Sequence, residues 1–318
     1  KELMALGRCN AQDEQEYFNM AYLAMRGSGA ANAVSALHGR VSRHLFQSLY
    51  PSWPTQEVPI GYVTNGIHVA SWNSPASDDL WKEACGSKRW LGETEQMQRQ
   101  LEQVSDKKIW QMRIDQKQAF VQYIRQKLSK DLAASGAPWE EVELAGKIFD
   151  PNCLTLGFSR RFATYKRTNL LLSDPERLIK ILTNPQKPVQ LVLAGKAHPA
   201  DIPGQNLILD WHHFLKRPEI KNRVVFLSDY DMLVAEQMVS GVDLWINTPR
   251  RPWEACGTSG MKVLANGGVN LSELDGWWAE AYNGTNGFAI GKGRIHASEE
   301  VSDQRDAVAL YEVLKNQV

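Results

Sequence analysis

The sequence predicts an α/β protein in which a parallel sheet carries helices on both faces. Two observations lead there. After Phe149-Asp150-Pro151, short apolar runs alternate with longer helical stretches, the rhythm of strand–helix–strand units. Each apolar run then closes in polar or charged residues, as strands do when their carboxyl ends face a ligand crevice.

In chain order, residues 13–49 read as helical with a break at Gly27-Ser28-Gly29. The half from Ala30 to Leu49 carries Val34, Leu37, Val41, Leu45 and Leu49 at helical spacing, a buried stripe with His38 and Arg40 on or beside it. A lone histidine there reads as a structural residue. Residues 50–59 form a loop, and Gly61 to His68 a short strand entering an Asn65-Gly66 turn. From Ser77 to about Ala145 the chain is helical and highly charged. Ile109, Met112, Ile114, Phe120, Ile124 and Leu128 form its core face, with charged residues opposite. Strands follow at 154–158, 190–194, 224–227, 242–246, 269–271 and 287–290. Helices fall between them, and a last helix covers Ala307 to Val318.

Composition excludes several classes. The 318 residues carry 36 basic and 36 acidic side chains, a formal net charge of zero. A nucleic-acid partner therefore lacks its electrostatic footprint, and no apolar run approaches the roughly 20 residues of a membrane span. The four cysteines (Cys9, Cys85, Cys153, Cys256) lack metal-ligand spacing and read as reduced thiols of a cytoplasmic protein, with no metal site. Most of the eleven tryptophans read as core filling.

The stretch from Asn247 to Gly267 concentrates the chemistry. It leaves a buried strand, turns through Gly257-Thr258-Ser259-Gly260 and opens a short helix. Thr258 or Ser259 can cap that helix, and Gly267-Gly268 can close it. Glu254 stands upstream and Lys262 inside. The other strand ends add Arg160, Arg161 and Lys166, then Lys196 and His198, then Asp229 and Tyr230. Four such loops on a neutral protein point to a local anion site. No Gly-x-Gly-x-x-Gly follows the first strand and no Gly-x4-Gly-Lys-Ser/Thr is present, which disfavours a dinucleotide and a P-loop nucleotide site. Two readings of Lys262 stand on the residues alone: an anion ligand, or a Schiff-base lysine beside a phosphate pocket.

Glu254-Ala255-Cys256-Gly257-Thr258-Ser259-Gly260-Met261-Lys262 resembles the pyridoxal-phosphate lysine motif of the glycogen and maltodextrin (α-glucan) phosphorylases. Arg160 to Arg167 resembles that family's basic phosphate segment. Thr64-Asn65-Gly66-Ile67 resembles the turn joining its two lobes. Asp229-Tyr230 with Leu233, Ala235 and Glu236, and Ala33 to Ser42, complete an ordered match over nearly the whole chain. The wording around Pro249 to Trp253 is similar to the shorter bacterial and archaeal members. The resemblance implies a two-lobed glycosyltransferase (GT-B) fold with Rossmann-like lobes. The implied activity is retaining phosphorolysis of terminal α-1,4-glucosidic bonds by inorganic phosphate, releasing glucose 1-phosphate. The implied cofactor is pyridoxal 5′-phosphate, its own phosphate acting as a proton relay. A group with a second pKa of about 6 suits that role.

On the resemblance, Lys262 holds the cofactor, and Arg161 and Lys166 bind the substrate phosphate. Arg160, Thr258, Ser259 and Tyr230 surround the cofactor, Arg160 standing where animal enzymes have lysine. Glu254, Cys256 and Gly257 contact glucose hydroxyls, Cys256 replacing a more familiar serine, and Asn65 is a further sugar contact. The partners implied are α-1,4-glucan and inorganic phosphate, with homodimers common in the family. Residues 1–70 correspond to the end of the first lobe and 71–318 to most of the cofactor lobe. The chain starts at Lys1, not methionine, and the family's glycine-rich loop has no counterpart, so the chain reads as a fragment expected to be inactive alone. Two alternatives remain at this stage: a nucleotide-sugar-dependent, glycogen synthase-like transferase, and a non-catalytic glucan-binding lobe.

Overall fold

The computed structural model describes residues 2–91, 93–294 and 298–318. The chain divides into two compact units. The first comprises the chain up to Asn65 with Pro252–Gly257 and Asp275–Ala281; the second comprises Gly66–Arg251, Thr258–Leu274 and Tyr282–Val318.

In the first unit, strands β1 (Ala31–Ala33) and β2 (Ile60–Tyr62) pair in parallel, joined through the helix Ala36–Leu45. A small core forms from Ala33, Val58 and Ile60 with Met25, Phe46 and Tyr50. This corrects the expectation of a helix from Ala30 to Leu49. The Ser35 side chain accepts the His38 N–H and starts the helix there, so the residues before it are free to extend. The stripe is also shorter than its spacing suggests: Leu37 is buried, but Leu45 is 64% exposed. His38, expected to be structural, makes a local contact. Its Nδ1 accepts the Val34 N–H at 3.2 Å, and burial lowers its pKa.

The second unit contains β3 (Leu154–Ser159), β4 (Val189–Ala194), β5 (Val224–Leu227), β6 (Leu244–Asn247), β7 (Val269–Glu273) and β8 (Phe288–Ile290). All pair in parallel in the order β5-β4-β3-β6-β7-β8, the doubly wound arrangement. The strand residues explain why both faces are covered. Leu191 and Leu193 point to one core with Leu178, Trp211 and Leu310, whereas Val192 and Ala194 point to the other with Phe120, Ile124 and Met238. Side chains alternate across a strand, so a run apolar at every position needs a helical layer on each side.

Helices occupy Pro75–Cys85, Thr94–Leu101, Asp106–Ala134 and Trp139–Ala145 in the charged region. Met112, Phe120 and Ile124 are buried as expected, but so are the polar Gln116 and the charged Arg113, although charged residues were expected opposite the core face. The helix Met232–Gly241 packs on Asp106–Ala134 so closely that a Cβ on Gly241 would lie 2.1 Å from Phe120 Cβ. Gly241→Ala is expected to cost about 1–3 kcal/mol through overpacking, read as a lower midpoint in urea denaturation. After β3 a continuous helix from residue 167 does not form. A 3-10 turn at Thr164–Lys166 ends at Arg167, which is left-handed at φ 48°; a second follows at Leu170–Ser173, and the helix Pro175–Leu182 starts where Asp174 caps it. The last helix spans Glu299–Asn316. Among the described residues, no helix is long and apolar enough to cross a membrane.

Candidate functional site

The strand order reverses between β3 and β6, and the crevice beyond their carboxyl ends is where such a sheet binds ligands. Arg160 and Arg161 leave β3 there, and Asn247 ends β6. Arg160 is buried, and its Nη2 donates to Asn247 Oδ1; Arg161 is exposed and Lys166 half-buried. The loop is fixed by the Phe162 N–H donating to Lys196 O at 2.9 Å and by the buried Phe162 ring. Asn247 Nδ2 donates to Asn270 Oδ1 at 3.0 Å, and Trp245 Nε1 donates to Ser259 Oγ at 3.1 Å. Ser259 Oγ lies 3.5 Å from Asn247 Oδ1. Arg160, Asn247, Ser259 and Asn270 thus form one polar network linking the ends of β3 and β6 with β7 and the helix that follows β6. Thr258 occupies the N-cap position with helical φ −66° and ψ −8° and makes no side-chain cap, and Ser259, the first residue of the lysine helix Ser259–Ala265, accepts from Trp245 instead. Gly267, at φ 76°, follows its C-cap Asn266 as expected.

Lys262 is half-buried on that helix, its Nζ 3.3 Å from the centroid of the Trp72 ring. Burial lowers its pKa. Trp72 is a residue that the pattern of the chain did not single out. Asn266 holds it in place: Asn266 Nδ2 donates to Trp72 O at 2.8 Å and to Lys262 O at 2.9 Å, while its Oδ1 accepts from Ser74 N and Ser77 Oγ. One buried asparagine therefore couples the turn at 72–77 to the lysine helix. Tyr230 is half-buried against the core cluster containing Phe120 and Met238. Lys196 and His198 are exposed, and His198 Nδ1 accepts the Ala200 N–H of its own turn.

In the first unit, Glu254 and Cys256 are buried and Asn65 is exposed. The loop around them is held at each residue. The Glu254 N–H donates to Asp275 Oδ2 at 2.9 Å, Ser35 Oγ to Ala255 O at 2.7 Å, Trp277 N–H to Cys256 O at 3.1 Å and Trp277 Nε1 to Gly257 O at 3.0 Å. Gly276 has φ 52°, and a Cβ there would lie 2.2 Å from Cys256 O, so only glycine fits. Burial pushes the Cys256 thiol up; the backbone groups of Asn65 and Trp277 oppose it, and the Glu254 and Glu280 charges add to it. Asn65, Glu254 and Cys256 are thereby neighbours. Asp275, Trp277 and Ser35 are the residues that sequence reasoning missed here, and only the Asp275-Gly276 turn dipeptide carried a local signal.

A doubly wound sheet with a basic loop at its switch point and a half-buried lysine on the following helix defines an enzyme-like α/β lobe. The model of the carbohydrate phosphorylase family matches residues 4–287, and the chain belongs to that family. It is 44% identical over 316 residues to a glycogen phosphorylase of Mycobacterium tuberculosis, covering 99% of this chain and 36% of that protein. A maltodextrin phosphorylase of Thermococcus litoralis is 40% identical, with 100% and 37% covered. A glycogen phosphorylase of Aquifex aeolicus is 38% identical, with 100% and 45% covered. The chain thus spans less than half the length of these relatives.

Proposed function

We propose that the protein acts as an α-glucan phosphorylase, using inorganic phosphate to release glucose 1-phosphate from the non-reducing end of an α-1,4-glucan. The observation that carries this reading is the Lys262 amine, half-buried over Trp72 and with its pKa lowered. A lysine used for aldehyde capture reacts through its neutral amine, and desolvation shifts Lys262 in that direction. Pyridoxal 5′-phosphate fits the residues. The buried Asn270 Nδ2 and Ser159 Oγ have no hydrogen-bond partner among the described residues, and the Arg160 guanidinium and Ser259 hydroxyl stand in the same network. In this reading Lys262 holds the cofactor, with Arg160, Thr258 and Ser259 around its phosphate and Tyr230 beside its ring. When bound, the cofactor would supply a phosphate able to exchange a proton near neutral pH.

The chain's own residues bind and orient. Arg161 and Lys166 hold the substrate phosphate, where preorganised cations stabilise the charge that develops in glycosyl transfer. Glu254, Cys256, Gly257 and Asn65 engage sugar hydroxyls. The fixed loop 254–257 supports that role, since its donors and acceptors cost no reorganisation on binding. The relatives' names support a glucan substrate. In a protein that carries both lobes, Arg161→Ala is expected to lower glucose 1-phosphate release from maltodextrin by about 100-fold or more, followed in an assay with orthophosphate as acceptor. Activity with a nucleotide sugar in place of phosphate, unaffected by Lys262→Ala, would count for a glycogen synthase-like transferase instead.

A further inference from the structure

Arg167 follows Lys166 directly, and its guanidinium is buried between two loops. Its Nε donates to Thr248 O at 2.9 Å and its Nη2 to Pro249 O at 2.8 Å. Its Nη1 donates to Asp306 Oδ2 at 2.6 Å and Asp303 Oδ1 at 3.1 Å, and Glu273 lies 3.9 Å from Nη2. The single Thr248 hydroxyl proton is shared between the carbonyls of Lys166 and Arg167, at 3.2 and 3.0 Å, and the Arg250 N–H donates to Tyr165 O at 2.7 Å. Arg250 also reaches Asp303 at 2.7 Å and Glu299 at 2.9 Å. The loops that leave β3 and β6 are therefore joined to each other and anchored on the helix Glu299–Asn316.

Two features separate this cluster from ordinary surface pairing. Arg167 holds φ 48° and ψ 47°, a conformation that a non-glycine residue keeps only where its surroundings over-determine it. Four of the five N–H donors of its fork bond protein acceptors, and Glu273 lies 3.9 Å from Nη2, so the fork is spent on holding the two loops and not on a ligand. Its effect must pass through the loop that it holds.

We propose that Arg167, clamped by Asp306 and Asp303, is a positioning residue that sets the backbone of residues 161–166 so that Arg161 and Lys166 converge on one anion. Lysine cannot replace it, because a point charge cannot serve carbonyls and carboxylates on both sides as a planar fork does. The proposal rests on the reading of Arg161 and Lys166 as orthophosphate ligands.

The test is titration of the purified protein with orthophosphate at fixed ionic strength, by calorimetry. Wild type is compared with Arg167→Lys, Asp306→Asn, their double variant and Arg161→Ala. Each clamp variant is expected to weaken binding about tenfold, a displacement effect on well-placed cations. The double variant should be no weaker than the single ones, since losing either partner releases the same loop. Amide exchange within 161–168 should accelerate in Asp306→Asn while β4 is unchanged, a readout that holds even where Arg167→Lys folds poorly. If Arg161→Ala loses binding but the clamp variants bind like wild type and lose only thermal stability, the positioning role is overturned and the phosphate site stands. If wild type binds orthophosphate no better than Arg161→Ala, the phosphate site itself fails, and the positioning role with it.

Discussion

Replacing Lys262 by alanine is expected to remove the visible absorbance of protein incubated with pyridoxal 5′-phosphate and, in a protein that carries both lobes, to bring glucose 1-phosphate release to background. The amine is the only group of that side chain that can form the covalent link, and alanine offers none. Retained absorbance after desalting would sink the proposed role. The pH dependence follows from the lowered pKa. The protonated amine is not nucleophilic, so attachment should speed up as pH rises and level off below the ordinary lysine value of about 10.4. Trp72→Leu lets water reach the amine and returns its pKa toward that value, slowing attachment at neutral pH. The linkage sign is the opposite of a salt-bridged lysine. With its folded pKa below its unfolded one, Lys262 costs stability at pH values under the folded pKa, and the cost fades as pH climbs toward the unfolded value. Lys262→Met should therefore raise the cofactor-free protein's melting temperature at neutral pH.

Arg113→Met is expected to destabilise the second unit by about 3–5 kcal/mol, the range for breaking a buried ion pair by removing one partner. Arg113 Nη1 donates to Ser240 O at 2.6 Å, Gln116 Oε1 at 2.7 Å and Asn266 O at 3.2 Å; its Nη2 donates to Val242 O at 2.6 Å and lies 3.4 Å from Asp243. Burial pulls its pKa down and Asp243 pulls it up, but a guanidinium stays charged throughout. Methionine fills the volume and leaves those carbonyls without a donor. Asp243 keeps Lys117 at 2.7 Å, which holds the loss within that range. Urea denaturation measures it, and a change below about 1 kcal/mol would place Arg113 among solvated helix residues. Asn266 also orients Trp72, so cofactor attachment should slow in the same variant.

The parallel sheet was legible because its strands are apolar at successive positions and its helices amphipathic, patterns with a period that sequence carries. The helix misread at Ala30 shows the limit. Val34 and Leu37 fit a helical period, but one serine hydroxyl on the His38 N–H decides where the helix begins. Arg113 and Gln116 were invisible for a related reason. Polar side chains on a charged helix look solvated until tertiary carbonyls arrive to receive them.

The sequence by itself determined the family, the α/β class, the basic loop after β3 and the lysine helix after β6, since each is written in contiguous residues. The tertiary structure alone decided which groups meet. Arg160 reaches Asn247 across 87 positions and Arg167 reaches Asp306 across 139. Trp72 lies over Lys262 because Asn266 binds both backbones. Such pairings depend on strand order, and parallel strands are joined through helices, so their carboxyl-end neighbours are always remote in the chain.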